Sequence, residues 1–490
     1  MKRILSAFIA LLLAASMFSC SNETTEGKTG ETLAQTTTAE TTSSETGKPG
    51  IPEPDLPYET YGGEDFTLMY KGEEPYFVKG VWAEELNGEV VNDAVFNRNL
   101  EAEKKFEVKI VGRPETGDPS GLIPKSISSG DYICDVIWAQ LIPMLAQSQQ
   151  GYYVNLLNLP HVNYDAQYWD SNMVRDMTVA DKLYMMNSDI STYFSEVRFI
   201  YFNKGVLEMY NMTSPYEHVY NDTWTLDVFA DMSKSVSADL NGDGELNGHD
   251  RFGLLEEYPT HFLVGAGVQF TKLDDEGVPV VSCMNEKTVA ILEKIASFTQ
   301  DEKSALNYAD AASGMDTSDF LHMWDYGRSL FAADHFLFVQ NGAGVTVQFR
   351  DMESDYGIVP NPKYDENQER YYHLYDPHAW GMAIPTTNLE LDKTGMILEY
   401  MSWKSNELLI PAYYETTIMD KRLRDEDAPK MLDIIRASTR YEVSCVLQVG
   451  LDNIFMDAEE KGNLISSYEK RSKTITKKLE KLADKYNKLD

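Results

Sequence analysis

A short apolar run, Ile133-Cys134-Asp135-Val136-Ile137-Trp138-Ala139, has the length and composition of a β-strand that is buried on both faces. Strands of this kind occur in parallel sheets whose two faces are covered by helices. The run therefore indicates an α/β fold.

The segments around this run alternate between strand and helix. Residues 66–70 and 106–111 are predicted strands, and between them a helix begins at Gly88-Glu89 with its apolar residues on one face. Residues 182–186 and 197–202 are also predicted strands. Strands separated by helices imply βαβ units, so we expect a mainly parallel sheet.

Three further helices are predicted. One begins at Thr223-Trp224-Thr225, with Thr223 or Thr225 as its N-cap, and another spans residues 396–403. The third, residues 475–486, is amphipathic and rich in lysine. We expect its lysines to form a solvated face rather than a membrane or partner contact.

Composition limits the class of protein. The chain has 43 Lys and Arg against 78 Asp and Glu, a formal net charge of −35, which argues against a nucleic-acid partner. It is 43% hydrophobic and 11% aromatic, enough for large cores. About 430 residues follow the N-terminal segments, more than one hydrophobic core usually holds, which predicts two or more domains.

The N-terminus has the pattern of an exported bacterial lipoprotein. Lys2-Arg3 precedes an apolar stretch, residues 4–17, that is too short to span a membrane. Met17-Phe18-Ser19-Cys20 resembles a lipobox, which predicts a signal peptide over residues 1–19 and lipidation (palmitate) of Cys20. The alternative is an ordinary cleaved signal that happens to contain a cysteine.

The segment after Cys20 is a predicted linker. Residues 21–50 contain ten Thr, five Glu, four Gly and three Ser, with almost no aliphatic side chains to offset the entropy of ordering. We therefore assign residues 20–57 to a lipidated cysteine and a disordered tether. The protein is expected on the extracellular face of the cell membrane.

The other cysteines, Cys134, Cys283 and Cys445, are odd in number and widely spaced, so they predict no disulfide framework. Enzyme motifs are also missing: the sequence has no GxxxxGK[ST], GxGxxG, GxSxG or HExxH. We therefore predict no catalytic residues and no enzymatic activity. A secreted carbohydrate-active enzyme and a surface adhesin remain the alternatives.

Residues 239–250 have the spacing of a calcium-binding loop. Oxygen side chains occupy positions 1, 3, 5 and 9, and Gly244 stands at position 6, where an EF-hand loop turns sharply. Asp250 replaces the usual bidentate Glu at position 12, and a plain Asp/Asn/Gly turn without metal is the alternative. We predict one structural Ca²⁺, held by Asp239, Asn241, Asp243, Glu245, Asn247 and Asp250.

Four stretches resemble extracellular solute-binding proteins of the large, sugar-associated class (family 1) that serve ABC importers. Each is weak alone, and their order over residues 66–490 makes the combination specific. They are Asn92-Asp93-Ala94-Val95-Phe96-Asn97-Arg98-Asn99; Tyr201-Phe202-Asn203-Lys204-Gly205-Val206-Leu207 with Asp222-Thr223-Trp224-Thr225-Leu226; Gly327-Arg328-Ser329-Leu330-Phe331; and Tyr356-Gly357-Ile358-Val359-Pro360-Asn361-Pro362-Lys363 with His378-Ala379-Trp380-Gly381-Met382-Ala383-Ile384-Pro385.

This resemblance implies a two-lobed α/β fold of the type II periplasmic-binding-protein kind, with discontinuous lobes joined by hinge crossovers. Lobe one would comprise residues 58–186 and 380–445, and lobe two residues 187–379 and 446–490. A monomer would hold a small polar solute, specifically a carbohydrate, between the lobes. It would deliver this solute to the transmembrane permease subunits of an ABC importer.

A sugar cleft needs aromatic platforms beside carboxylates and amides, because sugars have flat apolar faces and a rim of hydroxyl groups. Several such residues lie where the implied fold brings strand ends and crossovers together. The predicted ligand-binding residues are Trp82, Trp138, Asp189, Tyr193, Trp324, Tyr375, Asp376 and Trp380. At least two of these four tryptophans should line the cleft.

Overall fold

Two separate β-sheets organise the fold in a computed structural model, which describes residues 50–72, 80–418 and 426–489. The predicted signal peptide, Cys20 and the linker up to residue 49 lie outside the described residues. Residues from Ile51 onward form one compact unit.

The strands, in chain order, are β1 (Glu64–Lys71), β2 (Val108–Glu115), β3 (Val136–Gln140), β4 (Phe199–Asn203), β5 (Phe252–Glu256), β6 (Thr271–Leu273), β7 (Pro279–Val281), β8 (Ala305–Asn307), β9 (Phe336–Asn341), β10 (Tyr356–Val359), β11 (His373–Leu374), β12 (Trp380–Ala383) and β13 (Thr439–Arg440). The α-helices are α1 (Val90–Phe106), α2 (Ile123–Ser129), α3 (Leu141–Ser148), α4 (Ser171–Met177), α5 (Lys204–Met209), α6 (Pro215–Tyr220), α7 (Leu226–Lys234), α8 (Pro259–Gly265), α9 (Glu286–Thr299), α10 (Tyr308–Ala312), α11 (Met323–Ala332), α12 (Leu391–Ile418), α13 (Ala428–Ala437), α14 (Val443–Val446), α15 (Leu451–Lys461) and α16 (Leu464–Tyr486).

Each large sheet has one strand that runs against the others. The first sheet has the order β12-β3-β1-β2; β1 is parallel to β2 and β3, and β12 is antiparallel to β3. The second has the order β10-β4-β9-β5-β8, in which β4 is antiparallel to both neighbours and β5 is parallel to both of its own. The expectation of a mainly parallel sheet is thus corrected to two mixed sheets.

The reversed strands are β4 and β12. β4 is the first strand that the chain forms in the second sheet, and β12 is the strand with which it returns to the first sheet. β4 follows the first passage between the sheets, residues 141–198, and β12 follows the second, residues 360–379. Each therefore starts at the edge where the parallel strands end: Phe199 pairs with Asn341, and Trp380 pairs with Gln140. Both passages are consequently joined to the carboxyl edges of the sheets, where open α/β sheets bind ligands.

The helices after β12 pack beside both sheets. α12 packs against α1 beside the first sheet, and α13 packs against β10 of the second. The chain then forms β13, which pairs in parallel with β11, before α15 packs against α8 and α9. The exact division of the chain between two lobes stays a prediction.

Most strands and helices predicted from periodicity are present, but α12 and α16 extend well beyond the predicted residues 396–403 and 475–486. The helix expected at Gly88-Glu89 is α1, whose N-cap Glu89 accepts a hydrogen bond from the backbone N of Asn92. The strand expected at residues 182–186 is wrong, since this segment forms only isolated bridges. Residues 183–186 are buried, so their apolar character reflects the core rather than a ladder.

A fully buried arginine on α1 ties the first sheet's helices to the first passage. The guanidinium of Arg98 donates to the carbonyls of Gly80, Val81 and Ile190, to Ser405 Oγ and to Asn99 Oδ1, all at 2.7–2.9 Å. Among the described residues no carboxylate pairs with it. Carbonyl and amide oxygens thus offset the desolvation that a buried charge requires.

Cys134, Cys283 and Cys445 are free and buried. Cys134 is completely enclosed, as expected of a core residue. Burial raises the pKa of the Cys283 thiol to about 12, which makes it unreactive at neutral pH. No helix in the described part of the chain is long and apolar enough to cross a membrane.

Candidate functional site

Two adjoining cavities open at the carboxyl edge of the second sheet. Their volumes are about 220 and 350 Å³, and Glu257 and Trp324 line both. The smaller one is further lined by Ser195, Glu196, Arg198, Arg328, Asn341, Gly342, Gly344 and Val345. The larger one is further lined by Tyr258, Thr260, His261, Leu374, Asp376, Pro377, His378, Cys445, Gln448, Asp452 and Met456.

Arg198 is the centre of this site. It immediately precedes β4, so the strand fixes its backbone at the sheet edge. Its Nη1 donates to Asn341 Oδ1 at 2.9 Å, and its Nη2 donates to Asp376 Oδ2 at 2.5 Å. Its Nε lies 3.8 Å from Glu257 Oε2. One guanidinium therefore joins two strand ends and both passages between the sheets.

The carboxyl groups around Arg198 differ in the direction of their pKa shifts. Burial acts to raise the pKa of Asp376, but Arg198 and two hydrogen bonds from His378 outweigh it and hold that pKa well below its usual range. Burial raises the pKa of Glu257, and it raises that of Glu196 to about 7 although Arg198 opposes the shift. The site thus holds one carboxyl group whose pKa is lowered and two whose pKa values are raised.

Aromatic rings form one wall of the site. The ring of Trp324 on α11 is partly exposed, and its centroid lies 4.7 Å from that of the buried Tyr308 in an edge-on arrangement. Tyr258, which is 39% exposed, lies with its ring centroid 6.4 Å from that of Trp324. Tyr308 thereby fixes the orientation of a Trp324 ring that still lines both cavities.

Hydrogen-bonded polar side chains also line the site. Arg328 Nη2 donates to Asp325 Oδ1 at 2.7 Å, and its Nε also hydrogen-bonds Gln348. The exposed His378 ring lies 3.3 Å from Asp376 Oδ1, and this contact raises the pKa of His378. Fixed guanidinium donors, carboxylate acceptors and aromatic faces can together bind a polyhydroxylated molecule.

Two of the residues predicted from the sequence come together here. Trp324 lines both cavities and Asp376 lines the larger one. Tyr375, the neighbour of Asp376, is instead buried; its hydroxyl donates to the carbonyl of Trp380 at 2.7 Å, and its ring lies 4.6 Å from that of Tyr441.

Two other predicted ligand-binding residues belong to the first passage and are buried in the interior. Asp189 is fully buried, forms an ion pair with Arg436 and accepts a hydrogen bond from Asn406 Nδ2 at 2.7 Å. Tyr193 is also buried, with the Arg436 guanidinium 5.9 Å from its ring centroid. These contacts anchor the passage to α12 and α13.

The other three tryptophans pack on the first sheet. Trp138 is a core residue of β3 with 2% exposure. Trp82 lies against β2, and its indole Nε1 donates to the carbonyl of Ile110 at 3.1 Å. Trp380 is 3% exposed and begins β12, with Lys71 Nζ 5.8 Å from its ring centroid. That two of the four tryptophans line a cleft stays a prediction.

Arg198, Glu257 and Tyr258 were not among the ligand-binding residues predicted from the sequence. Arg198 directly precedes an apolar strand, and Glu257-Tyr258 follows another. Charged residues at the carboxyl edge of a sheet are ligand-site candidates. The sequence shows these charged residues next to apolar strands, but only the direction of β4 reveals that Arg198 lies at the carboxyl edge.

The calcium-like loop forms an exposed turn between α7 and β5. Both oxygens of Asp239 accept from loop amides, those of Gly242 at 2.6 Å and Gly244 at 2.9 Å. The φ angles of these glycines are 78° and 83°, a conformation that favours glycine.

Three other predicted ligands, Asn241, Asp243 and Asp250, also accept hydrogen bonds from the loop's own amides. Asn241 Oδ1 accepts from Asp243 N, Asp243 Oδ1 from Glu245 N, and the buried Asp250 from Leu240 N and Asn247 N. Within the described ranges, no three His, Cys, Asp or Glu side chains converge as a metal site. Calcium binding here stays a prediction.

Two mixed sheets that are joined through their carboxyl edges define the type II periplasmic-binding-protein fold, as the sequence resemblance predicted. Solved structures that resemble it include an ABC substrate-binding protein and a maltose-binding periplasmic protein. No family model and no curated protein matches the chain.

Three such structures illustrate the likeness. The ABC substrate-binding protein Lmo0181 from Listeria monocytogenes, in complex with cycloalternan, is 13% identical over 85% of this chain and 98% of its own, with a TM-score of 0.52. MalE from L. monocytogenes, in complex with maltose, is 13% identical over 87% and 98%, also with a TM-score of 0.52. UspC from M. tuberculosis is 12% identical over 84% and 100%, with a TM-score of 0.54. At this identity the likeness defines the fold alone.

We predict that chelation of calcium lowers the melting temperature of the protein and that Asp243→Ala abolishes this difference, because Asp243 supplies a predicted ligand. The measurement is thermal unfolding of metal-stripped protein with added Ca²⁺ or EDTA. Asp275→Ala, at an exposed aspartate of another turn, is the control. Equal melting temperatures of the wild type with and without Ca²⁺ would rule out the site.

We also predict that Glu196→Gln changes how stability depends on pH. Between about pH 4.5 and 7 the native Glu196 keeps a proton that the unfolded chain releases, so its burial lowers the free energy of unfolding as pH rises through this window. The glutamine variant should avoid up to about 3 kcal/mol of that loss.

Urea unfolding from pH 4.5 to 8 measures this effect. Glu369→Gln, at an exposed position, should follow the wild type. Parallel pH dependences of Glu196→Gln and wild type would contradict the prediction.

Proposed function

We propose that this protein is a lipid-anchored extracellular substrate-binding protein that captures a carbohydrate at the carboxyl edge of its second sheet and delivers it to the permease of an ABC importer. The observation that carries this proposal is the site itself. A partly exposed Trp324 and Tyr258 stand beside a fixed set of charged donors and acceptors around Arg198. Aromatic faces suit the apolar faces of a sugar, and the charged groups suit its hydroxyls.

The site also lies where ligand binding can affect the arrangement of the two sheets. Arg198 ends the first passage between the sheets, and Asp376 belongs to the second. A ligand that contacts this pair touches both connections, and it stabilises whichever arrangement of the sheets it binds more tightly. Hinge closure around a ligand works in this way.

The proposed anchor complements this role. Lipidated Cys20 would hold the protein at the membrane, and residues 21–50, which precede the compact unit, would have a mean span of roughly 30 Å as a coil. The binding domain could therefore reach a permease while turning freely. Stoichiometric binding without turnover would separate this function from that of a carbohydrate-active enzyme.

We expect a thermal-shift screen of mono- and oligosaccharides, with amino acids and peptides as comparison compounds, to find a stabilising sugar. A ligand at 100 times its dissociation constant adds roughly 2.7 kcal/mol to the free energy of unfolding. Isothermal titration should then give one site per chain, with a change in tryptophan fluorescence. Stabilisation by amino acids or peptides and by no sugar would refute the carbohydrate assignment.

Trp324→Ala should weaken binding of that sugar by about 2 kcal/mol, roughly thirty-fold in the dissociation constant, because it removes an aromatic platform. Trp403→Ala is the matched control, since Trp403 lies on α12 and donates to the carbonyl of Ile51, away from the cavities. Titrations of folded protein well below the melting temperature measure both. Equal affinities of Trp324→Ala and wild type would remove Trp324 from the site.

For the anchor, we predict that wild-type protein partitions with membranes and that Cys20→Ala releases it. Lipidation requires the thiol of Cys20, and the chain has no other predicted membrane contact. Cell fractionation and metabolic labelling with palmitate measure the change, with Cys134→Ala as the cysteine control. Identical fractionation of wild type and Cys20→Ala would contradict it.

A further inference from the structure

A larger cavity lies away from the candidate sugar site, where α4, the β6–β7 hairpin and the segment around β13 meet. Its volume is about 530 Å³. α4 follows the first sheet in the chain, and the hairpin packs against α16 on the side of the second. The cavity is thus lined by segments assigned to both predicted lobes.

The charge of this lining is opposite to that of the chain. Four cationic side chains, Arg175, Lys272, Arg370 and Arg440, line it together with a single carboxylate, Asp176. Its formal charge is therefore +3, in a protein with a formal net charge of −35. Such a reversal concentrates a positive potential at one place on an otherwise acidic surface.

The carboxylates of this region are already engaged. Asp176 accepts two hydrogen bonds from Arg175, at 2.6 and 2.7 Å, and one from the backbone N of Tyr441 at 3.0 Å. Glu442 accepts from the backbone N of Phe270 at 3.0 Å and from that of Thr271 at 3.3 Å. Neither carboxylate forms an ion pair with Lys272, Arg370 or Arg440.

In the described part of the chain, Lys272, Arg370 and Arg440 form no ion pair, although Glu442 and Asp176 interact with Arg440 at longer range. Within the described ranges, none of them has a carboxylate within 4.0 Å. The guanidinium of Arg440 packs 3.6 Å above the ring centroid of Tyr372, and its Nη1 is buried with no hydrogen-bond partner. A buried guanidinium N–H without an acceptor is costly, which an anion in the cavity would relieve.

We propose that this cavity binds a small anion with two or more negative charges, such as a di- or tricarboxylate or a phosphate compound. Lys272 and Arg370, both exposed, would contact the anion from the hairpin and from the segment before β11, and Arg440 from β13. Arginine pairs with carboxylate and phosphate oxygens in bidentate fashion, which suits this class of ligand. The site is independent of the proposed sugar site.

Titration of the soluble protein (residues 21–490) with citrate and with inorganic phosphate tests the proposal. Isothermal titration should show saturable binding to one site, and Lys272→Gln/Arg370→Gln should weaken it at least ten-fold. Both replaced side chains are exposed and make no ion pair, so the variant is expected to fold; unchanged thermal unfolding in chloride buffer checks this. Arg440→Gln should weaken binding as well.

The matched control is Lys109→Gln/Arg350→Gln, which removes the same charge from exposed positions elsewhere. It should bind within two-fold of the wild type. Absence of saturable binding of both anions to the wild type overturns the proposal. So does equal weakening by the two double variants, which would indicate a general charge effect.

Discussion

The partly buried guanidinium of Arg198 makes the interactions on which the arrangement of the site depends. Removing a cation from water costs several kcal/mol unless partners compensate it. Its partners here come from the ends of β5 and β9 and from Asp376 in the second passage. Compensating the partly buried Arg198 therefore requires these segments to meet at one point. The polarity of the cavities and the lowered pKa of Asp376 follow from that requirement.

The fold class could be predicted from the sequence because burial on both faces leaves a continuous apolar run, as in β3, and helices leave a periodic one. The direction of a strand, by contrast, produces no pattern in the sequence. β4 and β12 have the composition of the parallel strands beside them, yet each runs the other way because it starts at a carboxyl edge. Residues 182–186 illustrate the opposite error. This segment is apolar because it is buried, but it forms only isolated β-bridges and no strand.

The site was harder to predict than the fold, for a physical reason. Arg198 and Asp376 are 178 residues apart, and no local pattern marks their pairing. Aromatic residues are ambiguous in another way, because Trp138 and Trp324 both suit a core and a sugar platform. What separates them is the element that carries them: β3 is covered on both faces, whereas α11 lies at the sheet edge beside an open cavity.

Burial of acidic side chains also affects the charge of the whole molecule. Burial raises the pKa of Glu256 and of Glu442 to about 8, and that of Glu196 to about 7. The formal charge of −35 counts each of these groups as ionised. The native protein at neutral pH is therefore less negative than its sequence indicates, and folding takes up protons from the solution. The calorimetric enthalpy of unfolding should consequently include the ionisation heat of the buffer.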